Sequence, residues 1–379
     1  MTSREDQTVP DAATDCPRVS VILPVLNAAD EIGRAVESLL ALDWPAERLQ
    51  ILVVDNGSDD GTAEVARRYP VTVLSETEVQ SSYAARNRGQ AQASGEWLAF
   101  TDSDCAVSPD WLRRLLLPAP AAAVGAVAGE VLALELTTPV QRLVEQFGIM
   151  KHAVTLPHKS LPCFSTANVA VRRDLLDQLG GFRADVRYFA DMELSWRLQI
   201  EAGRTILFRP QAVIRHRHRR TWGALWRQGV QHGRGTAFMK RTYPAHYRIS
   251  PGEQVQRLAG LGQAVLAAVF GGTTRSAAAG NGAGANSQTG ADFGAQDETV
   301  AGALDGAGVR DMPPLASSGD GDDIAAEGRR QTAAGDRLRA PLFLALWYGG
   351  LLAGYLMGPA RSSGTRPSSA GKPEAGKET

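Results

Sequence analysis

The chain has 379 residues, 44% of them apolar, with 40 basic against 41 acidic side chains and a formal charge of −1. That balance excludes polyanion recognition by bulk charge, so nucleic acid is not an expected partner, and the length suits one large domain or two ordinary ones. Cys16, Cys105 and Cys163 are odd in number and lack metal-ligand spacing, which fits a reducing compartment better than a disulfide scaffold.

Residues 1–17 are polar, hold no apolar signal core and read as a disordered tail, so the expected location is cytoplasmic. From Val19 strands and helices alternate. "VSVILPVLN" reads as a strand, and "ADEIGRAVESLLAL" follows with Ile32, Val36, Leu39 and Leu40 at helical spacing. "LQILVVD" is a second strand, "GSDDGT" a turn and "AEVARRY" a short helix. "VTVLS" is a third strand, "SYAARNRGQAQA" a third helix and "EWLAFTD" a fourth strand. Repeated β-α-β units predict an α/β fold, a Rossmann-like and mostly parallel sheet flanked by helices. Ligands of such sheets sit beyond the C-terminal ends of the strands, where Asn27, Asp55, Asp102 and Asp104 fall.

A helix ("DWLRRLLLPA") and an apolar run ("GAVAGEVLAL") continue the domain, and residues 139–162 are less regular. "CFSTANVAVRRDLLDQLGGF" reads as strand, helix and glycine stop, "DMELSWRLQIEAG" as a helix and "TILFRPQAVIRH" as a broken strand pair. Trp222 to Lys240 form an amphipathic helix. The expected domain covers 18–247; an apolar helical segment follows over 248–272, a disordered low-complexity linker over 273–340, an apolar helix over 341–358 and a disordered tail over 359–379. The run "PLFLALWYGGLLAGYLMG" is borderline for spanning a bilayer. Association with a membrane interface and burial against the domain both remain open.

Two acids one residue apart at a strand end, Asp102 and Asp104, repel each other and cost desolvation unless a positive group lies between them. A hard divalent cation is the natural candidate. Asp320-Gly321-Asp322 has the same spacing in a patternless stretch and is expected to be merely solvated.

"VSVILPVLNAADEIGRAVESLL", "ILVVDNGSDDGT", "AARNRGQAQASGEWLAFTDSDC" and "GGFRADVRYFADMELSWRL", in this order, resemble the inverting glycosyltransferases of family 2, over about residues 18–240. The resemblance implies the GT-A fold and hexosyl transfer from a UDP-, GDP- or dTDP-linked sugar to an acceptor hydroxyl, with Mn²⁺ or Mg²⁺ as cofactor. It implies that Asp55 contacts the base, with Pro24 and Asn27 lining the same pocket; capping of the turn is the competing reading for Asp55. Asp102 and Ser103 then lie against the donor and Asp104 is the metal ligand, with His216 completing the metal site and His218 as the alternate. Arg86 can neutralise a diphosphate with its planar fork. Asp191 is the expected general base, in an apolar setting of Phe189, Ala190 and Met192; an ordinary N-cap aspartate is the competing reading.

The family usually carries Glu-Asp where this sequence has Ala190-Asp191, which keeps open a retired, donor-binding scaffold as the alternative. Asn168, Glu193 and Arg197 are secondary candidates, although Glu193 and Arg197 stand four apart and can simply pair. Arg217, Arg219 and Arg220 are candidates for phosphate or anionic lipid. The acceptor is open; the apolar runs favour a lipid-linked or polysaccharide acceptor at the cytoplasmic face of a membrane, as in cell-envelope polysaccharide or glycolipid synthesis. A nucleotidyltransferase or a dinucleotide-dependent dehydrogenase is disfavoured, because no glycine-rich phosphate loop follows the first strand.

Overall fold

Side-chain alternation along β1 (Val19–Val25) sets the layering. Val19, Val21, Leu23 and Val25 point to one face, where they join Ile32, Val36 and Leu39 of α1 (Ala29–Leu40), while Ile22 points to the other with Leu52, Val54, Leu98 and Phe100. A strand buried on both faces needs this continuous apolar run, so β1 is central. Truncating a wholly buried side chain such as Ile22 or Leu23 to alanine costs roughly 2–5 kcal/mol.

The computed structural model describes residues 16–156, 160–247 and 322–359. Among these, β2 (Leu49–Asp55), α2 (Thr62–Ala66), β3 (Thr72–Ser75), α3 (Ser82–Gln92) and β4 (Trp97–Phe100) follow the sequence pattern closely. Next come β5 (Cys105–Val107), α4 (Trp111–Leu116), β6 (Val124–Ala133), α5 (Pro139–Gln146) and α6 (His152–Thr155). The described chain then continues through β7 (Val169–Arg172), α7 (Arg173–Gln178), α8 (Ala190–Ile200), β8 (Thr205–His216), α9 (Trp222–Thr242) and α10 (Asp322–Met357).

Strands pair in the order β3-β2-β1-β4-β7-β6-β8-β5. The first four run parallel, β7 is antiparallel to β4 and β6, and β8 runs parallel to β6. This is the mostly parallel, helix-flanked α/β sheet expected. Helix α3 lies very close to it at Gly89, where a Cβ would stand 2.6 Å from Ile22 Cγ2.

Three local expectations change. Residues 205–216 form one strand with a bulge, because the register against β6 jumps from Gly129↔Arg209 to Glu130↔Val213 around Pro210, which has no N–H to pair. The "less regular" 139–162 stretch contains α5, held by a Thr138/Gln141 capping box with Pro139 in its first turn. Residues 322–340, read as part of the disordered linker, are helical backbone at the start of α10; their Ala, Arg, Glu and Gln are good helix formers.

The chain divides into two units, one comprising residues up to 258 together with 346–379, the other 259–345. In the first, α9 and the end of α10 touch backbone to backbone. A Cβ on Gly233 would stand 2.0 Å from the Leu351 carbonyl, and one on Gly354 1.9 Å from that of Val230. The apolar run at 258–270, most of the 273–340 linker, and nearly all of both tails lie outside the described residues. No described helix is long and apolar enough to cross a membrane.

Candidate active site

The C-terminal ends of β1, β2 and β4 form one rim. Parallel register sets Val25 beside Asp55, and Pro24 is buried beside Val54. Asn27 adopts a left-handed φ of 49°, its Oδ1 accepts the Asp59 N–H at 3.0 Å and its own N–H donates to Ser58 Oγ at 3.0 Å. The β1 and β2 loops are thereby locked together. Asp55 is 8% exposed, and its two oxygens receive only a long contact, 3.4 Å, from the Ser58 N–H. Its carboxylate therefore keeps acceptor capacity on the rim.

After β4 the chain turns over Asp102 and Ser103, with the Cys105 N–H donating to the Asp102 carbonyl at 3.0 Å. Strand β5 then pairs with β8 in a register that opposes Cys105 to His216, and the Arg217 N–H donates to the Asp104 carbonyl at 2.9 Å. Residues 112 apart in sequence are thus brought together by a three-residue strand that the pattern did not announce. Asp104 Oδ2 and His216 Nε2 stand 3.4 Å apart, with His216 buried. His218 lies behind His216, their Nδ1 atoms 3.1 Å apart.

This pair fits a divalent cation. One carboxylate oxygen and one imidazole nitrogen at 3.4 Å approach the roughly 3 Å edge of an octahedron with bonds of about 2.1 Å. The mixed oxygen and nitrogen set suits Mn²⁺. No group of three or more His, Cys, Asp or Glu gathers in ligating geometry among the described residues, so phosphate oxygens and water would fill the other positions.

At Arg86 the structure adds a partner that the sequence reading did not name. It is 3% exposed, lies over the Tyr83 ring and donates through Nη2 to Asp102 Oδ1 at 2.5 Å. A buried guanidinium in that position fixes Asp102, while its Nε finds no hydrogen-bond partner among the described residues. Tyr83, which the sequence reading missed, donates its hydroxyl to Asp191 Oδ1 at 3.3 Å. The available clue was its place one turn before Arg86 on α3, sharing a face with it.

Asp191 is the second residue of α8, so it is not the N-cap; that position belongs to Phe189, in the left-handed region at φ 65°. A bulky residue there carries backbone strain. The Phe189 ring covers Gly235 of α9, where a Cβ would come within 2.5 Å, and meets His232 edge-on at 5.1 Å. Asp191 Oδ1 also accepts the Met192 N–H at 2.9 Å. Burial raises the Asp191 pKa above the usual carboxylate value, against the opposing pull of the Met192 N–H and the Arg86 charge.

The secondary candidates hold the frame. Asn168 spans the β6–β8 bulge, donating to the Glu130 and Ala212 carbonyls at 2.9 and 2.8 Å and accepting from Trp111 Nε1 at 2.8 Å. Glu193 is buried against Arg197 at 2.9 Å, with a hydrogen bond from the Tyr243 hydroxyl at 3.0 Å. Arg197 also donates to the Leu179 and Gly181 carbonyls, which ties the glycine turn to α8. Arg217 pairs with Glu31 at 2.6 Å, while Arg219 and Arg220 are exposed.

The acids and the aspartate-histidine pair thus lie beyond the C-terminal ends of the parallel strands, where ligands of such sheets bind. The sequence profile of glycosyl transferase family 2 matches residues 20–180. Glycosyltransferase AglE of Haloferax volcanii is 32% identical over 228 residues, covering 58% of this chain and 73% of that protein. The pre-mycofactocin glycosyltransferase of Mycobacterium tuberculosis is 31% identical over 209 residues, covering 53% of this chain and 43% of that one. A mannosyltransferase from Pyrobaculum calidifontis, solved with GDP-Man and Mn²⁺, shares the fold at a TM-score of 0.56 and 21% identity, over 93% of this chain and 90% of that one. The chain belongs to glycosyltransferase family 2. It is a glycosyltransferase with the GT-A fold.

Proposed function

We propose that this enzyme transfers a hexosyl group from a nucleoside diphosphate sugar to an acceptor hydroxyl, with inversion at the anomeric carbon, and that Mn²⁺ or Mg²⁺ binds at Asp104 and His216. The observation that carries the reading is the pairing of Asp104 Oδ2 with His216 Nε2 at 3.4 Å on the rim that also bears Asp55 and Asp102. When bound, the cation supplies positive charge to the departing diphosphate. Asp55 accepts hydrogen bonds from the base, with Pro24 and Asn27 beside it. Asp102, held by Arg86, and Ser103 lie against the donor's ribose and sugar.

Asp191 takes the acceptor hydroxyl proton as that oxygen attacks the anomeric carbon from the face opposite the diphosphate. A positioned base contributes about 10²- to 10⁴-fold in rate. Calorimetric titration of UDP, GDP and dTDP, with Mn²⁺ and then with chelator, tests the site. Binding of one nucleotide that chelator removes is expected. Asp104→Ala is expected to lose that binding, while Asp191→Asn keeps it and loses turnover; equal loss of nucleotide binding in both would refute the division of roles.

A membrane-adjacent acceptor is the second part of the proposal. No acid occurs between Glu201 and Glu253, a stretch that includes the exposed Arg219, Arg220, Arg227, Lys240 and Arg241. Beside it the end of α10 exposes Leu356 at 75% and Met357 at 65%, and Lys240 lies over the Tyr355 ring. Exposed apolar side chains beside a lysine suit an anionic interface. Sedimentation of the full chain with phosphatidylglycerol vesicles, but not with phosphatidylcholine vesicles, is expected, and Leu356→Asp with Met357→Asp should abolish it.

A further inference from the structure

Behind His216 a buried chain of polar groups leads away from the rim. His216 Nδ1 lies 3.1 Å from His218 Nδ1, and His218 Nε2 lies 3.1 Å from Glu145 Oε2 on α5. The same Glu145 oxygen accepts the Ala133 N–H at 3.0 Å, and the other pairs with Lys151 Nζ at 2.8 Å. Both imidazoles are buried, so their donors and lone pairs must be matched within the protein.

Between two neutral rings that meet through Nδ1 atoms, one donates and the other accepts. Were His218 the Nδ1 donor, its Nε2 would turn a lone pair onto the Glu145 carboxylate, acceptor against acceptor. The opposite arrangement satisfies both of these contacts. His216 Nδ1–H donates to His218 Nδ1, and His218 Nε2–H donates to Glu145 Oε2.

That arrangement leaves His216 Nε2 with a lone pair facing Asp104 Oδ2 at 3.4 Å, longer than the approximately 2.7–3.2 Å of an N–H···O bond. Two lone pairs facing each other at that distance are satisfied by a cation between them.

We infer that Glu145 and His218 are positioning residues for the metal site: they hold His216 as its Nδ1–H tautomer and aim the Nε2 lone pair at the cation bound with Asp104. The inference rests on the metal reading of Asp104 and His216. Helix α5 is thereby tied to the end of β8, and its capping box becomes part of what fixes the ligand. Outer partners of this kind typically govern metal affinity by about 10- to 100-fold.

The test is a titration of the full chain with Mn²⁺ alone, following the electron paramagnetic resonance of the free ion. Glu145→Gln and His218→Phe are each expected to weaken Mn²⁺ binding by roughly 10- to 100-fold, and Asp104→Ala to remove it. Unchanged affinity in both outer variants, with loss in Asp104→Ala, overturns the positioning role and spares the metal site. Unchanged affinity in all three overturns both. If the outer variants fail to fold, nitrogen-15 spectra of the histidine-labelled wild type decide. A proton on His216 Nδ1 and on His218 Nε2 supports the inference, and a proton on His216 Nε2 overturns it.

Discussion

As the proposed general base, Asp191 must be ionised to accept a proton, and its surroundings make ionisation harder. Burial raises its pKa, while the Met192 N–H and the Arg86 guanidinium hold it down. A base is active above its pKa, so activity is retained at higher pH and lost as pH falls through the raised value. The acidic limb of kcat/KM is therefore expected above the ordinary carboxylate pKa of about 4. Arg86→Gln removes a charge that favours the carboxylate, so the limb should move to still higher pH. Loss of the Asp102 contact will also lower the height of the profile, but the limb's position is the diagnostic; a limb that stays in place or moves down would show that Arg86 does not act on Asp191.

At the scale of elements, α9 and α10 meet through glycines four apart on each helix, Gly229 with Gly233 and Gly350 with Gly354. Such close approach allows backbone contacts that no larger residue tolerates. Gly233→Leu is expected to detach residues 346–357 from α9, seen as faster proteolytic release of the C-terminal segment and a red shift of Trp347 emission, with the sheet's circular dichroism kept. Unaltered proteolysis would mean that the helices are held elsewhere. The half of the sheet built from β1 to β4 was legible because each strand carries its own apolar run and each intervening helix its own period. The rim acids followed from position alone. By contrast, the Asp104–His216 pairing depends on β5, three residues long, and on a register that no local pattern encodes. Glu145 was unreadable as a partner of His218, since 73 residues separate them and α5 lies between stretches of weak periodicity. Arg86 was legible as an arginine near the acids, but its pairing with Asp102 was not, because that contact depends on how α3 packs against the sheet.

Over the whole molecule, His152 joins three parts of the domain and makes its stability depend on pH. Its Nδ1 lies 2.5 Å from the Gly129 carbonyl at the β6 bulge, and its Nε2 is 2.8 Å from the Ser165 N–H in the loop before β7. Its own N–H donates to Glu130 Oε1 at 2.8 Å. These contacts define a neutral ring, with Nδ1 donating and Nε2 accepting, and a second proton would set Nε2–H against the Ser165 N–H. Burial accordingly lowers the pKa from 6.5 to about 4. The unfolded chain takes up this proton first as pH falls, so the contribution is complete above about 6.5 and is lost progressively between there and about 4. Its full size is on the order of 3 kcal/mol. His232, also held near 4 by burial, acts in the same direction, while the raised Asp191 acts against it; both are present in a His152→Gln variant, so a comparison isolates His152. Urea midpoints are expected to fall more steeply from pH 6.5 to 4 in the wild type than in His152→Gln. Parallel slopes would mean that His152 takes up its proton in the folded chain as readily as in the unfolded one, and that the acid sensitivity of the domain comes from other groups.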